Sequence, residues 1–349
     1  MSKKLLFFFL GLTLIAGCKE DEPKISTVCE LMPNGTYVIK WEIFPPLEGT
    51  VKVYESTRPD SFDLASSVFE QDIKIGCRSI LPSSMRPYFK LVFNKKYSTI
   101  VAKRTLPTQG ISNLRDLGGY YNRENKQVQW GKIYRSGSLD MPTIYDRRIL
   151  SELNIKTLID LRTEQESFYY PNKFKTPHVY NLPLRGNGHN IFFDEIVAGK
   201  MQLSNILNYD RDVFLFILEN NTDYFIRMFD ILLDEKNYPA IISCFLGKDR
   251  SAIASVLLLA ALDVDEETIL GDYLLSNTLT NYRALVRNAD NYSFDVQQTL
   301  TTFFSANPQT IHYALDWIRD NYGSIYNYLE KELQLTGKKR EKLKSILLI

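Results

Sequence analysis

A loop in the second half of the chain combines a candidate nucleophile with candidate anion-binding groups. The pattern of residues 241–261 predicts a buried strand, the loop Cys244-Phe245-Leu246-Gly247-Lys248-Asp249-Arg250, and an apolar helix that begins near Ser251. A loop that passes from a strand into a helix points consecutive backbone N–H groups at one place, and the helix N-terminus adds positive potential there. Such a loop is suited to binding a phosphate group.

Two side chains of this loop are suited to covalent phosphate chemistry. The positive surroundings favour the thiolate form of Cys244, which can attack phosphorus and form a phosphocysteine that water later cleaves. Arg250 can bind two phosphate oxygens through its planar guanidinium. Gly247 lets the backbone turn tightly around the anion. The loop therefore predicts hydrolysis of a phosphate monoester without a metal ion or other cofactor.

The loop and its flanking elements resemble the signature of the cysteine-dependent tyrosine and dual-specificity phosphatases, which reads His-Cys, five residues, Arg, then Ser or Thr. The Gly-Lys-Asp-Arg segment is most similar to a bacterial branch whose members act on phosphotyrosine and often on phosphoinositides. Four other segments resemble motifs of that branch, in the same order: Asn113-Leu114-Arg115-Asp116-Leu117-Gly118-Gly119, Tyr134-Arg135-Ser136-Gly137-Ser138-Leu139, Leu158-Ile159-Asp160-Leu161-Arg162-Thr163 and Tyr322-Gly323 with the helical residues after it. The resemblance covers most of the chain after residue 110.

The resemblance assigns a role to each residue of the loop. Cys244 corresponds to the nucleophile, Arg250 to the phosphate clamp, and Ser251 to the hydroxyl that eases departure of the thiolate during hydrolysis. Lys248 is expected to add a second cation beside the pocket. The other residues expected to surround the substrate phosphate are Phe245, Leu246 and Gly247.

The proton that the leaving group needs has two candidate donors. The resemblance favours Asp249 inside the loop, and Asp160 at the end of a predicted strand is the alternative. Asp249 would instead serve only as a cap if it bonded to the helix that follows. Arg162 and Asp116 are expected to orient the loop or contact the substrate, with a structural ion pair between them as the competing interpretation.

Two residues depart from the family pattern: Ser243, and Ala252 where the pattern prefers Gly. Ser243 precedes the nucleophile where the family has His, which helps to fix the loop. The serine keeps a phosphate-binding pseudophosphatase open as an alternative. A second alternative, independent of Ser243, is a surface interaction protein whose N-terminal region binds the partner. For an active enzyme, the candidate substrates are phosphotyrosine proteins, phosphoinositides and inositol phosphates.

Strands that alternate with amphipathic helices are expected to position these motifs. Short buried strands are predicted at 156–161 and 240–244, with long helical patterns at about 201–233, 251–262, 265–278 and 309–334. This pattern predicts an α/β domain over residues 107–349, with a central, mostly parallel sheet flanked by helices. Ligands of such sheets gather at the carboxyl ends of the strands.

The region before this domain has a different pattern. Residues 25–106 show short runs of alternating apolar and polar residues separated by turn residues, which predicts an antiparallel β-sandwich. It resembles a fibronectin type III or immunoglobulin-like module, with Trp41 as a core residue. Pro107-Thr108-Gln109-Gly110 is expected to link the two domains.

The N-terminus is typical of a targeting signal. Lys3 and Lys4 precede an apolar run, and Leu14-Ile15-Ala16-Gly17-Cys18 resembles the lipobox of bacterial lipoproteins. The resemblance implies a signal peptide over residues 1–17, a lipid on Cys18 and a tether over residues 18–24. We therefore expect an exported protein that is lipid-anchored in a bacterial membrane and faces the periplasm or the cell surface.

Composition limits the remaining partners. The 349 residues carry 42 basic and 41 acidic side chains, a net charge of +1, which argues against nucleic-acid binding through bulk electrostatics. Three histidines without a cluster of cysteines predict no metal site. Cys29 and Cys77 are expected either to form a disulfide or to remain two separately buried thiols.

Overall fold

The computed structural model describes residues 22–186, 189–280, 286 and 289–349. The expected signal peptide, Cys18 and residues 18–21 of the expected tether lie outside this range. Within the described residues, no helix has the length and apolar content needed to cross a bilayer.

Residues 24–101 form two antiparallel sheets, in agreement with the alternating pattern. Their strands are β1 (Lys24–Leu31), β2 (Tyr37–Phe44), β3 (Thr50–Ser56), β4 (Phe69–Asp72), β5 (Cys77–Ile80), β6 (Tyr88–Phe93) and β7 (Tyr97–Val101). The strand orders are β1-β2-β5 and β4-β3-β6-β7. Alternate side chains of both sheets, including Ile39, Trp41, Val53 and Phe89, are buried in one hydrophobic cluster. The indole N–H of Trp41 donates to the carbonyl of Ile73 at 2.9 Å, which satisfies its one polar group.

The two cysteines of these sheets are free thiols. Cys29 on β1 lies opposite Ile39 and Cys77 on β5 lies opposite Lys40, so strand β2 separates them. Neighbouring strands are about 4.8 Å apart. The resulting separation of about 10 Å exceeds the limit of about 7 Å between the Cα atoms of a disulfide. The disulfide alternative is therefore wrong, and the alternative of two buried thiols holds only for Cys29, because Cys77 is exposed.

The rest of the chain is an α/β unit around a five-stranded sheet. Its strands are β8 (Arg115–Asp116), β9 (Ile133–Ser136), β10 (Thr157–Asp160), β11 (His178–Asn181) and β12 (Ala240–Ser243). The order is β11-β10-β12-β9-β8, and every neighbouring pair is parallel except β8 with β9. The mostly parallel sheet and the two strands predicted near 156–161 and 240–244 are confirmed.

Helices surround this sheet. They are α1 (Ile144–Glu152), α2 (Glu164–Tyr169), α3 (His189–Val197), α4 (Leu203–Asn220), α5 (Thr222–Leu232), α6 (Arg250–Ala261), α7 (Glu266–Leu274), α8 (Ser276–Leu279), α9 (Phe294–Phe304), α10 (Pro308–Tyr322), α11 (Ile325–Lys331) and α12 (Gly337–Leu347), with short 3-10 turns at Ile73–Ile75, Glu235–Asn237 and Ala289–Asn291. Three of the long predicted helices are each divided in two, for example by a left-handed Gly323 between α10 and α11.

The sheet has a hydrophobic layer on each face because successive strand residues point to opposite sides. Leu158 and Ile241 pack with Ile149 and Leu150 of α1. Their chain neighbours Ile159 and Ile242 belong to the larger cluster that α5 and α6 cover. This three-layer arrangement fixes the direction of β12 and therefore the place where the loop after it emerges.

The antiparallel sheets and the α/β unit share a polar and aromatic interface. Arg86 forms a buried ion pair of 2.8 Å with Asp116 at the edge strand β8. The indole N–H of Trp130 donates to the carbonyl of Ile100 at 2.9 Å. Arg104 lies over the ring of Tyr120 at 3.6 Å. These contacts make the two parts of the chain a continuous structure.

The end of the α/β unit opposite to the carboxyl ends of its strands gathers several chain segments. Asn122 pairs with Val264 just beyond the last turn of α6. Gln127 exchanges two backbone hydrogen bonds of 2.9 Å with Ile349. Glu22 and Pro23, the first described residues, line a cavity together with Gln127 and Ile349.

Candidate active site

Cys244 follows β12 directly and lies within a tight loop, residues 244–249, hereafter the Cys244 loop. The side chain is fully buried. The N–H of Gly247 donates to its Sγ at 3.2 Å, and the hydroxyl of Ser251 lies 3.4 Å from the same sulfur. Gly247 adopts φ +73°, and a Cβ there would lie 2.5 Å from the backbone nitrogen of Gly137. Only glycine satisfies both the left-handed backbone and this close approach.

Three donors hold the carbonyl groups of the Cys244 loop away from the sulfur. The N–H of Ser138 donates to the carbonyl of Phe245 at 2.9 Å. The amide of Asn113 donates to Leu246 and the guanidinium of Arg135 to Gly247, both at 2.8 Å. In a planar trans peptide the carbonyl and the following N–H point in opposite directions. The N–H groups of residues 246–248 therefore face the sulfur side, where they can bind an anion.

A buried cluster of charges supports these donors from below. Asp272 on α7 accepts hydrogen bonds from Arg115 at 3.0 Å and from Arg135 at 2.7 Å. Burial opposes the charge of Asp272, but the two guanidinium groups outweigh it and hold its pKa well below the usual value. Burial, together with the like charge of Arg115, lowers the pKa of Arg135 to about 10. Two cations and one anion leave a net positive charge beneath the Cys244 loop.

Arg250 is held in place by a carboxylate of α2. Its two terminal nitrogens donate to the two oxygens of Glu166 at 2.6 and 2.8 Å. Burial disfavours the guanidinium charge, yet the hydrogen bonds and charge of Glu166 raise the pKa of Arg250. Glu166 is itself fixed by a capping box with Thr163. The guanidinium is thus oriented before any substrate is present.

Asp249 and Lys248 form an ion pair of 2.8 Å within the Cys244 loop. Asp249 occupies the N-cap position of α6 but makes no capping hydrogen bond with its side chain. The capping interpretation of Asp249 is therefore wrong. Lys248 is buried and also donates to the carbonyl of Ser305 at 3.4 Å. Its charge is compensated by Asp249, in contrast to the expectation of a second cation in the pocket.

A cavity of about 310 Å³ opens beside this loop. Asp249 and Arg250 contribute to its polar part. Its apolar wall comes from the segment after β11 and from α4: Leu184, Val213, Phe216 and Ile217. The side chains of Phe245 and Leu246 pack instead into a neighbouring hydrophobic cluster with Phe303 and Phe304. Phe245 and Leu246 therefore contribute to the loop through their backbone.

Asp160 and Arg162 bind each other. The guanidinium of Arg162 donates to both oxygens of Asp160, the shortest contact being 2.7 Å, and Asn172 donates to Asp160 at 2.7 Å. Arg162 also reaches the hydroxyl of Ser138 at 2.9 Å. Asp160, Arg162 and Cys244 itself do not line the cavity. The carboxylate of Asp160 accepts hydrogen bonds from Arg162 and Asn172, and Arg162 contacts the turn that supports the Cys244 loop through Ser138.

Asp116 does not contact Arg162, so the expected pair between them is wrong. Its carboxylate is fully buried and binds Arg86 together with the N–H groups of Gly118 and Gly131. Burial raises the pKa of Asp116, and Arg86 opposes this effect. The enclosed carboxylate of Asp116 therefore joins the antiparallel sheets to the α/β unit. The expectation of a substrate contact for Asp116 is therefore also corrected.

Ser243 provides a hydrogen bond to a neighbouring segment. Its hydroxyl donates to the carbonyl of Gly137 at 2.8 Å. Gly137 belongs to the same turn as Ser138, which binds Phe245. The serine at this position thus connects the Cys244 loop to the turn after β9.

The sequence did not predict the roles of two residues of the site, Glu166 and Asp272. Glu166 follows Thr163 at capping-box spacing, so its pattern predicts a helix start rather than a partner for Arg250. Asp272 lies on α7, outside every motif. Among the described residues, no group of three or more His, Cys, Asp or Glu side chains is arranged to hold a metal ion.

Comparison with known proteins defines the class of this chain. A sequence model of the tyrosine phosphatase family matches residues 106–349. The chain therefore belongs to the tyrosine phosphatase family, and the Cys244 loop lies within the matched region.

The individual proteins that resemble this chain share low sequence identity with it. A Cupriavidus necator protein named as a putative tyrosine-protein phosphatase is 26% identical over 247 residues, which cover 68% of this chain and 87% of the relative. The triple specificity protein phosphatase PtpB of Mycobacterium tuberculosis is 30% identical over 103 residues, 26% of this chain and 37% of the relative. The catalytic core of the S. cerevisiae PP-IP phosphatase SIW14 is similar at 17% identity and a TM-score of 0.26, covering 56% of this chain and 89% of that one.

Proposed function

We propose that this protein hydrolyses phosphate monoesters through a phosphocysteine intermediate at Cys244, with phosphotyrosine proteins as its substrates. The observation that carries the proposal is the Sγ of Cys244 beside the N–H of Gly247, in a loop whose carbonyls are turned away from the sulfur. Membership of the tyrosine phosphatase family supports hydrolase chemistry at this place.

In the first step the thiolate of Cys244 attacks phosphorus, and the bond from phosphorus to the ester oxygen breaks. The N–H groups of the loop and the guanidinium of Arg250 bind the equatorial oxygens and stabilise their growing charge. The leaving oxygen takes a proton from the carboxyl of Asp249.

In the second step a water molecule attacks the phosphocysteine. Asp249, now a carboxylate, accepts the proton of the water, and the bond from phosphorus to sulfur breaks. The hydroxyl of Ser251, 3.4 Å from Sγ, can donate to the departing thiolate. Inorganic phosphate leaves, and the original protonation state is restored.

The test is turnover and trapping with the full chain. Wild type should hydrolyse p-nitrophenyl phosphate, vanadate should inhibit it, and rapid acid quenching of a labelled substrate should recover phosphate on Cys244. Cys244→Ser should remove turnover while phosphate binding persists, and Cys77→Ser is the matched control. Equal inactivity of wild type and Cys244→Ser, with phosphate bound by both, would establish a pseudophosphatase instead.

A second comparison addresses the proton donor. Asp249→Asn should impair hydrolysis of phosphotyrosine more than that of p-nitrophenyl phosphate, because the better leaving group needs less protonation. Asp160→Asn should impair both esters equally, since it changes only the support of the loop. The reverse pattern would transfer the role to Asp160.

For the remainder of the chain we propose a lipoprotein anchored through Cys18 and an N-terminal fibronectin type III-like module. The lipobox-like sequence supports the first, and the pairing of a three-stranded with a four-stranded antiparallel sheet supports the second. Mass spectrometry of the detergent-extracted protein should show a diacylated Cys18, and Cys18→Ala should release the protein from the membrane fraction.

A further inference from the structure

An exposed aromatic strip borders the Cys244 loop. It consists of Phe168, Tyr169 and Tyr170, whose exposed fractions are 79, 64 and 37%. Phe168 and Tyr169 are in edge contact, with ring centroids 5.3 Å apart. Large apolar side chains exposed together carry a solvation cost, and such patches commonly mark interaction sites.

The strip is continuous with the site rather than remote from it. Tyr170 packs edge-on against Phe245 of the Cys244 loop, with ring centroids 5.6 Å apart. The same short helix carries Glu166, which binds Arg250, and begins after Thr163, which lines the cavity. Helix α2 thus extends along the loop from the cavity at one end to the strip at the other.

The chemistry of the strip suits apolar side chains of an extended chain. The segment Ser167-Phe168-Tyr169-Tyr170-Pro171 carries no charged side chain. A compact polyanion such as an inositol polyphosphate would require additional cations around Arg250. Besides Arg250, the arginine of the cavity lining is Arg185, which forms an ion pair of 2.8 Å with Asp223.

We propose that the aromatic strip is a docking surface for apolar residues that flank the phosphorylated residue of a peptide substrate. The proposal rests on the function proposed above and narrows its substrates to phosphoproteins with apolar flanking sequences. Aromatic rings provide large contact areas at low entropic cost, which suits them to this use.

The test measures binding, so that it does not depend on turnover. In the Cys244→Ser background, two labelled phosphotyrosine peptides are compared, one with Leu and Phe flanking residues and one with Ser and Asn. The double change Phe168→Ala with Tyr169→Ala should weaken the first peptide about tenfold and leave the second within about twofold. Phe44→Ala is the control, because Phe44 is similarly exposed, at 77%, on the antiparallel sheets.

The other possible results of these measurements also decide whether the aromatic strip is a docking surface. Equal loss for both peptides, or no loss for the apolar peptide, overturns the proposal. A strip variant with intact Cys244 should hydrolyse p-nitrophenyl phosphate within about twofold of wild type, and a large loss would show instead that the strip supports the loop. Strip-dependent binding to phosphatidylcholine–phosphatidylglycerol vesicles would assign the surface to a membrane. Absence of any turnover by wild type would overturn the proposed function alone, because the peptide affinities still decide the role of the strip.

Discussion

The carboxylate of Glu166 holds the guanidinium of Arg250 through two hydrogen bonds of 2.6 and 2.8 Å. The pair is buried and joins helix α2 to the first residue of α6. Because the bidentate geometry fixes the plane of the guanidinium, Arg250 is oriented before the substrate arrives.

Glu166→Gln tests this orientation. The amide can accept only at one oxygen and leaves the buried guanidinium partly unpaired, so we expect kcat/KM for an aryl phosphate to fall about 100-fold. Glu164→Gln is the control, because Glu164 is exposed on the same helix. Steady-state kinetics and the affinity for vanadate measure the effect. Unchanged values in Glu166→Gln would show that Arg250 needs no such support.

Asp272→Asn tests the buried charge cluster. The change leaves Arg115 and Arg135 facing each other without their common anion, which should cost about 3–5 kcal/mol of unfolding free energy. Urea denaturation measures the loss, and turnover should fall as well because Arg135 holds the carbonyl of Gly247. Asp265→Asn is the control on the same helix, since Asn caps a helix as well as Asp. A loss no larger than that of the control would contradict this account.

Arg86→Met tests the interface between the antiparallel sheets and the α/β unit. Removal of the arginine leaves Asp116 buried without its ion-pair partner, and we expect a destabilisation of about 3–5 kcal/mol. The double change Arg86→Met with Asp116→Asn should recover part of it, because the uncompensated carboxylate is gone. Denaturation curves of Arg86→Met, Asp116→Asn and the double variant provide the measurement. Additive losses would indicate that the two side chains act independently.

Stability should decrease at alkaline pH. Burial raises the pKa of Cys29 from 9.0 to about 12 and that of Tyr37 from 10.0 to about 12. The unfolded chain therefore releases these protons at lower pH than the folded chain. The stabilisation is complete below pH 9 and is lost as the pH rises towards 12, at a slope of about 1.4 kcal/mol per pH unit for each group.

The variant Cys29→Ala isolates one part of this effect. It should flatten the dependence of unfolding free energy on pH between about 9 and 10, where Tyr37 has not yet begun to contribute fully. Cys77→Ala, which removes the exposed thiol, is the matched control. Denaturation at several pH values measures both, and a curve for Cys29→Ala identical to wild type would refute the assignment.

The parts of the structure that were predictable from sequence are those encoded by neighbouring residues. The strand before Cys244 and the glycine within the loop are encoded in one continuous segment, where pattern and turn chemistry agree. Partners from distant segments were not predictable. Asp272 is buried by the packing of α7, and no local pattern distinguishes it from a surface carboxylate. For Asp116 the motif predicted a substrate contact, but the structure gives the residue a structural role. A charged residue in a motif indicates function and structure equally well.

Helix α6 runs from the Cys244 loop to the opposite end of the α/β unit. Arg250 begins the helix, and Asn122 binds the carbonyl of Leu262 just after its last turn. Twelve residues at 1.5 Å each give a span of about 18 Å. Glu22 lies near the far end, beside Gln127. Glu22, the first described residue, and Arg250 therefore lie towards opposite ends of this helix.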